Sequence, residues 1–255
     1  MVDLQLPHIA ILAGAAFVAG AVNAVAGGGS LISFPALLAV GYPALEANVT
    51  NTVALCPGYF GGTLGYRREL AGQRARVRAL GAISTVGAVL GAILLVVSSA
   101  TLFEMIVPFL IFLACGLLAM QPRLARLVHH GQEQHGGGSR PVALYASQFL
   151  AAAYGAYFGA GVGIMMLAIL GIFLRDSLQR LNALKGLLSL LVNVVAAAWF
   201  ALFANVAWLA VAVMALASLA GGQAGVALAR RLNDRVLRGM VIVFGVVVGL
   251  RLLRW

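Results

Sequence analysis

The chain is expected to be all-α: a polytopic membrane protein of about ten helical segments, some short or broken, in two inverted five-segment repeats. Three observations predict this. First, 62% of its 255 residues are hydrophobic and only 9% are charged, whereas soluble domains carry about 25% charged residues. No soluble fold of this size could hide so much apolar surface, so the chain needs lipid as a partner. Second, the charges lie between apolar runs rather than along them. Third, the two halves match at one constant offset. Subtracting 134 places Asn182 on Asn48, Lys185 on Asn51, Gly161 and Gly163 on Gly27 and Gly29, and Gly221 and Gly225 on Gly87 and Gly91. A gapless match of this kind marks an internal duplication.

The first eight residues lack the basic stretch of a secretory signal, so the first apolar run, 9–26, reads as a retained span. Further segments are read at 30–42, 47–66, 77–97, 102–120, 142–160, 164–174, 181–203, 207–229 and 236–250. Residues 1–120 then form one repeat, 121–141 a cytoplasmic linker and 142–255 the second repeat. Two segments, 30–42 and 164–174, are too short to cross. As helices they reach roughly 15–20 Å, against a hydrocarbon core of about 30 Å. They hold equivalent places in the two halves, and each follows a glycine cluster. Paired short segments interrupted by glycine point to a transporter's binding site.

An odd number of segments per repeat turns the second repeat upside down, and the arginines test this. Arg67, Arg68, Arg74, Arg76 and Arg78 mark the turn after the third segment as cytoplasmic, while its mate at 204–207 carries no charge. The turn at 98–101 has none either, and its mate holds Arg230, Arg231, Arg235 and Arg238. The turn at 42–46 has no positive charge, and its mate holds Arg175 and Arg180. One strict alternation of spans puts every arginine-bearing turn inside, together with the linker. Arg251 and Arg254 fall outside and run against the pattern. The net charge of +10 is therefore a topology signal. Without a basic face or interleaved aromatics it does not indicate nucleic acid.

The linker holds His129, His130, His135 and a run of glycines. It reads as a flexible spacer and not a metal site, since no acidic or thiol ligand is clustered with the histidines. Cys56 and Cys115 lie in apolar segments and read as free thiols packed as small hydrophobes. The seven carboxylates are all expected in turns, loops or termini. No cofactor motif is present. Gly27, Gly28 and Gly29 are not followed by the lysine of a phosphate loop, and no strand precedes the cluster at 159–163. Ser33 and Ser189 have no intramembrane His or Asp beside them, which argues against an enzyme.

What the glycine clusters do offer is helix N-termini inside the membrane, with free amide donors and partial positive charge. Brought together at Gly28 and Val162, they would make an anion site near the midplane. Close helix contact is the other reading of these glycines. Lys185 is the only lysine and the one full charge inside an apolar segment. Such a charge is costly in a membrane and functional by default, although snorkelling to the interface would also accommodate it. Asn182, Lys185 and Ser189 share a helix face, as do Asn48, Asn51 and Thr52. Either set could bind anion oxygens or bond neighbouring helices. Ser30, Asn23 and Tyr157 lie at the glycine clusters and join the candidate site. With no Asp, Glu or His inside a span, facilitated movement or exchange is favoured over a proton relay.

Residues 20–35 (GAVNAVAGGGSLISFP), 47–52 (ANVTNT) and 65–70 (GYRREL), then 154–164 (YGAYFGAGVGI) and 182–185 (NALK), resemble the two signatures of the sulfite exporter TauE/SafE family of membrane transporters. The resemblance implies a bacterial inner-membrane transporter of small sulfur-containing anions such as sulfite, sulfoacetate or related organosulfonates, working as an exporter. Uptake of another oxyanion such as thiosulfate or sulfate, a non-transporting membrane subunit, and a homodimer stay open.

Overall fold

The structure is a computed structural model that describes residues 4–25, 27–134, 141–228 and 234–253; side chains are described for fewer of these. The described residues form ten helices: α1 (Leu6–Val25), α2 (Ser30–Val40), α3 (Ala44–Gly65), α4 (Arg74–Val97), α5 (Ala100–Gln134), α6 (Pro141–Tyr157), α7 (Val162–Phe173), α8 (Leu178–Phe203), α9 (Trp208–Leu228) and α10 (Asp234–Leu252). No strand occurs among the described residues. Five helices, α1, α4, α5, α8 and α9, hold stretches long and apolar enough to span a bilayer, and only 33–44% of each stretch is buried. Much of that apolar surface faces outward, through residues such as Leu94, Phe109, Val194 and Leu216. An outer surface of this kind is stable only in lipid.

The short segments are short for identifiable reasons. α2 ends where Gly41 takes φ 105°, so that its amide bonds Leu38 O and the Tyr42 amide bonds Leu37 O. This glycine-terminated cap closes the last carbonyls, and Pro43 follows it. α7 starts from Gly161 at φ 77°, a left-handed conformation that only glycine adopts cheaply. Its repeat mate Gly27 sits at φ 84°. α8 is capped by Ser177, whose hydroxyl accepts from the Arg180 amide.

The helix boundaries correct the sequence reading in two places. α5 does not stop near residue 120 but continues to Gln134. The linker's Leu, Ala, Arg and Gln residues are good helix formers and carry the helix past Pro122 and Gly131. The linker's histidine side chains and residues 135–140 lie outside the described part. Also, Glu46 sits in the first turn of α3, Glu104 just beyond the first turn of α5 and Glu133 near the end of α5, rather than in loops. Near a helix N-terminus a carboxylate meets the positive end of the dipole.

Packing follows the duplication. α1 lies on α9, and α6 lies on α4. α3 meets α9, as α8 meets α4; α5 meets α7, as α10 meets α2. The pairs α3–α8 and α5–α10 map onto themselves. Matched glycines do matched work. Gly221 lies against the Phe17 backbone of α1 and Gly225 against Ala21, while Gly87 and Gly91 lie against Phe149 and Ala153 of α6. Each pair is a GxxxG stripe that lets two helix backbones touch.

The α3 and α8 ends show their relative direction. Beyond the C-terminus of α3, Gln73 Nε2 donates to Arg180 O in the first turn of α8 (3.0 Å). Beyond the C-terminus of α8, the Ala207 amide donates to Thr50 Oγ1 near the start of α3 (3.0 Å). The two repeat mates therefore run antiparallel. On the Gln73 side the arginine-bearing turns meet: Arg76 and Arg180 both pair with Asp176, and Arg180 also donates to Ala71 O.

Candidate functional site: a donor-lined cleft at Lys185

The site begins with Asn23, near the end of α1. Its Oδ1 accepts the Gly29 amide at 2.7 Å, so it caps the start of α2. The same bond leaves its Nδ2 buried with no partner. Gly27 then brings the turn against α7. A Cβ added to Gly27 would lie 2.8 Å from Gly163 Cα, and one added to Gly163 would lie 2.9 Å from Gly27 Cα. The two glycine turns thus touch, backbone to backbone. Lys185 runs past this contact, its Cε 3.4 Å from the same added Cβ on Gly163.

Beside the touching turns lies a cleft of about 270 Å³, counting its open mouth. Asn23, Asn182 and Lys185 line it with Ala24, Gly62 and Gly186. Tyr59, Thr63 and Tyr66 complete the wall, and Tyr66 adjoins Arg67 and Arg68 in sequence. Lys185 is only 3% exposed and has no ion pair or hydrogen bond among the described residues. No carboxylate lines the cleft. A buried charge without a partner costs several kcal/mol, on the order of what a resident counter-ion would offset. Two donor-bearing residues, Asn23 and Lys185, in a cleft lined by no carboxylate suit an anion.

The other candidates sit elsewhere. Asn48 Nδ2 donates to Tyr157 O (2.8 Å) and Thr52 Oγ1 to Asn48 O (3.1 Å), while Asn51 is 1% exposed on the same helix. These four form a second cluster at the α6 end, apart from the cleft. A Cβ on Gly28 would face Leu118 of α5, and one on Gly161 would face Ala114. The Gly27 amide bonds Val22 O, and the Val162 amide bonds Gly159 O. Ser30 is buried, and Ser189 Oγ contacts Met166 Sδ at 3.5 Å. Sequence reasoning missed Tyr59, Thr63 and Tyr66. Tyr59 and Thr63, at i and i+4, share one face of α3 and Tyr66 caps its end; that spacing is the signal that could have found them. Among the described residues no three of His, Cys, Asp and Glu gather as metal ligands.

The whole chain has relatives. It is 27% identical to a probable membrane transporter protein, ORF9, of a Sinorhizobium species, over 99% of this chain and 95% of that protein. It is 29% identical to a probable membrane transporter protein of Haemophilus influenzae, over 94% of this chain and 92% of the other. The Escherichia coli probable membrane transporter protein YfcA is 26% identical, over 93% and 87%. No solved structure matches the chain. Residues 12–252 match the family described as sulfite exporter TauE/SafE. The chain is a multi-pass membrane protein and belongs to that family of transporters, which is not a class of enzymes.

Proposed function

We propose that the protein carries a small oxyanion across the bacterial inner membrane, binding it in the cleft between Lys185 and Asn23. One observation carries this reading: Lys185, only 3% exposed, and Asn23, whose Nδ2 is buried without a partner, line one cleft that no carboxylate lines. Sulfur-containing anions such as sulfite, sulfoacetate and related organosulfonates are the substrate class, and export is the direction. Lys185 contributes a point charge and Asn23 and Asn182 contribute amides, a set that suits tetrahedral or pyramidal oxyanions. The antiparallel course of α3 and α8 supports two inverted repeats, residues 1–120 and 142–255, joined on the cytoplasmic side through 121–141. The arginine-bearing face is then the cytoplasmic one.

The test is a titration of detergent-purified protein with sulfite, sulfoacetate, thiosulfate and sulfate, followed by flux in proteoliposomes. Binding of a sulfur oxyanion that weakens at least tenfold in Lys185→Ala supports the reading. Equal affinity in parent and variant removes Lys185 from the site, and binding of none of the four anions overturns the reading.

A further inference from the structure

The face opposite the cleft is closed by aromatic rings. Phe158, just past the end of α6, is 2% exposed. It meets Phe34 of α2 edge-on, with ring centroids 5.6 Å apart and planes at 83°. It also meets Phe103 of α5 at 6.5 Å. Phe34 and Phe103 are themselves 1% and 0% exposed, so no water reaches between the rings. Tyr157 beside them packs on Phe103 at 6.0 Å, and its hydroxyl is 3.3 Å from Ser98 Oγ at the end of α4. Its carbonyl accepts from Asn48 of α3. Helices α2, α3, α4 and α5 of the first half therefore converge on two residues of the second.

Those two residues have mates in the cleft. At the offset of 134, Tyr157 corresponds to Asn23 and Phe158 to Ala24, and both mates line the cleft. Where one face holds a phenyl ring wedged between two others, its counterpart holds a methyl group. That methyl lines the cleft and would be 3.3 Å from a Cβ on Gly62, so α1 and α3 approach closely there and no ring stands between them. An apolar constriction blocks a hydrated ion because the ion cannot shed its water there.

We propose that Phe158, held between Phe34 and Phe103, is the barrier that shuts the arginine-poor face, and that Ala24 in the equivalent place leaves the arginine-bearing face open. The barrier consists of ring contacts and hydrogen bonds between separate helices, with no covalent or ionic tie, so it can part and re-form in a transport cycle. Phe158, Phe34 and Ala24 are then positioning residues of the route: they set which face the bound anion can reach. This rests on the transport reading above.

Site-directed labelling tests it. In full-length protein carrying Cys56→Ser and Cys115→Ser, the reporter is Asn51→Cys, a buried position three residues along α3 from Asn48. A membrane-impermeant maleimide is added from the arginine-poor face of oriented vesicles. Phe158→Ala and Phe34→Ala are each expected to raise the labelling rate at least tenfold, and Phe158→Leu, the milder change that guards against loss of fold, at least threefold. Ala24→Phe is expected to slow labelling of Thr63→Cys from the arginine-bearing face at least fivefold. Monodisperse Phe158→Ala or Phe158→Leu protein labelled within twofold of its parent overturns the barrier. Unchanged Thr63→Cys labelling in Ala24→Phe overturns the role of Ala24. If Phe158→Ala speeds labelling while the parent binds no sulfur oxyanion, the barrier stands and the anion reading falls.

Discussion

The two half-sites occupy equivalent places in the duplicated chain and have diverged in opposite senses. The one at the arginine-bearing face has Asn23, Ala24, Asn182 and Lys185, with space, spare donors and a charge. Its mate has Tyr157, Phe158, Asn48 and Asn51, with rings in contact and an amide donated to a carbonyl. The backbone scaffolds remain alike, from the paired positive-φ glycines to the GxxxG stripes. A duplication therefore fixes where a site can form, and a few side chains decide whether that place holds a ligand or a seal.

The largest expected effect tests the shared scaffold. Gly87→Val and Gly221→Val each force a side chain into the backbone of the facing helix. Each should cost about 3 kcal/mol or more, the upper end of overpacking losses, and strip the monodisperse peak from size-exclusion profiles. Loss in one variant and tolerance in its mate would break the equivalence of the repeats.

Next comes the charge difference between the half-sites. Lys185→Ala removes a charged hydrogen-bond donor, worth about 1.5–3 kcal/mol, so anion affinity by calorimetry should fall about 10- to 100-fold. Asn51→Ala, its mate, should change affinity less than about threefold, because Asn51 does not line the cleft and its Oδ1 is buried without a partner. Equal losses would mean that both half-sites bind.

Asn23→Ala sharpens the comparison more gently. The Gly29 amide loses its cap, which should cost about 0.5–2 kcal/mol, and the cleft loses one donor. Melting temperature and anion affinity should fall together. A fall in stability alone would make Asn23 a cap and nothing more.

The smallest effect concerns the arginine-bearing face. Burial alone would raise the Asp176 carboxyl, but hydrogen bonds from Arg76, Arg180 and the Ser177 amide outweigh it and hold it below the usual carboxylate range. A carboxylate held low stabilises the fold fully above its unfolded pKa of about 4, and this stabilisation is lost as pH falls through the lowered folded value. The arginine partners are partly exposed, so the pairs are worth no more than about 1 kcal/mol. Asp176→Asn should lower the melting temperature slightly at pH 7 and flatten its decline below about pH 4. An unaltered acid profile would show that these pairs do not tie the two turns together.

Much of the fold was legible because hydropathy along the chain is set by the bilayer, which every span meets separately. The short α2 and α7, the ten segments and the turns at Gly27 and Gly161 all followed from composition and local chemistry. The run of α5 to Gln134 was not legible, since a polar stretch after a span suits both a linker and an exposed helix. The cleft was half legible. Lys185, Asn23 and Asn182 stand out as polar residues in apolar surroundings. Tyr59, Thr63 and Tyr66 do not, because a tyrosine near a helix end is common at any membrane interface.

By itself, then, the sequence determined that this is a membrane protein, with one lysine where a charge is costly. Only the tertiary structure decided that Asn23 spends its oxygen on Gly29, that the glycine turns touch, and that space lies beside Ala24 and not beside Phe158. Those outcomes depend on which side chains from distant helices fill a shared volume, and no periodicity along one helix records that.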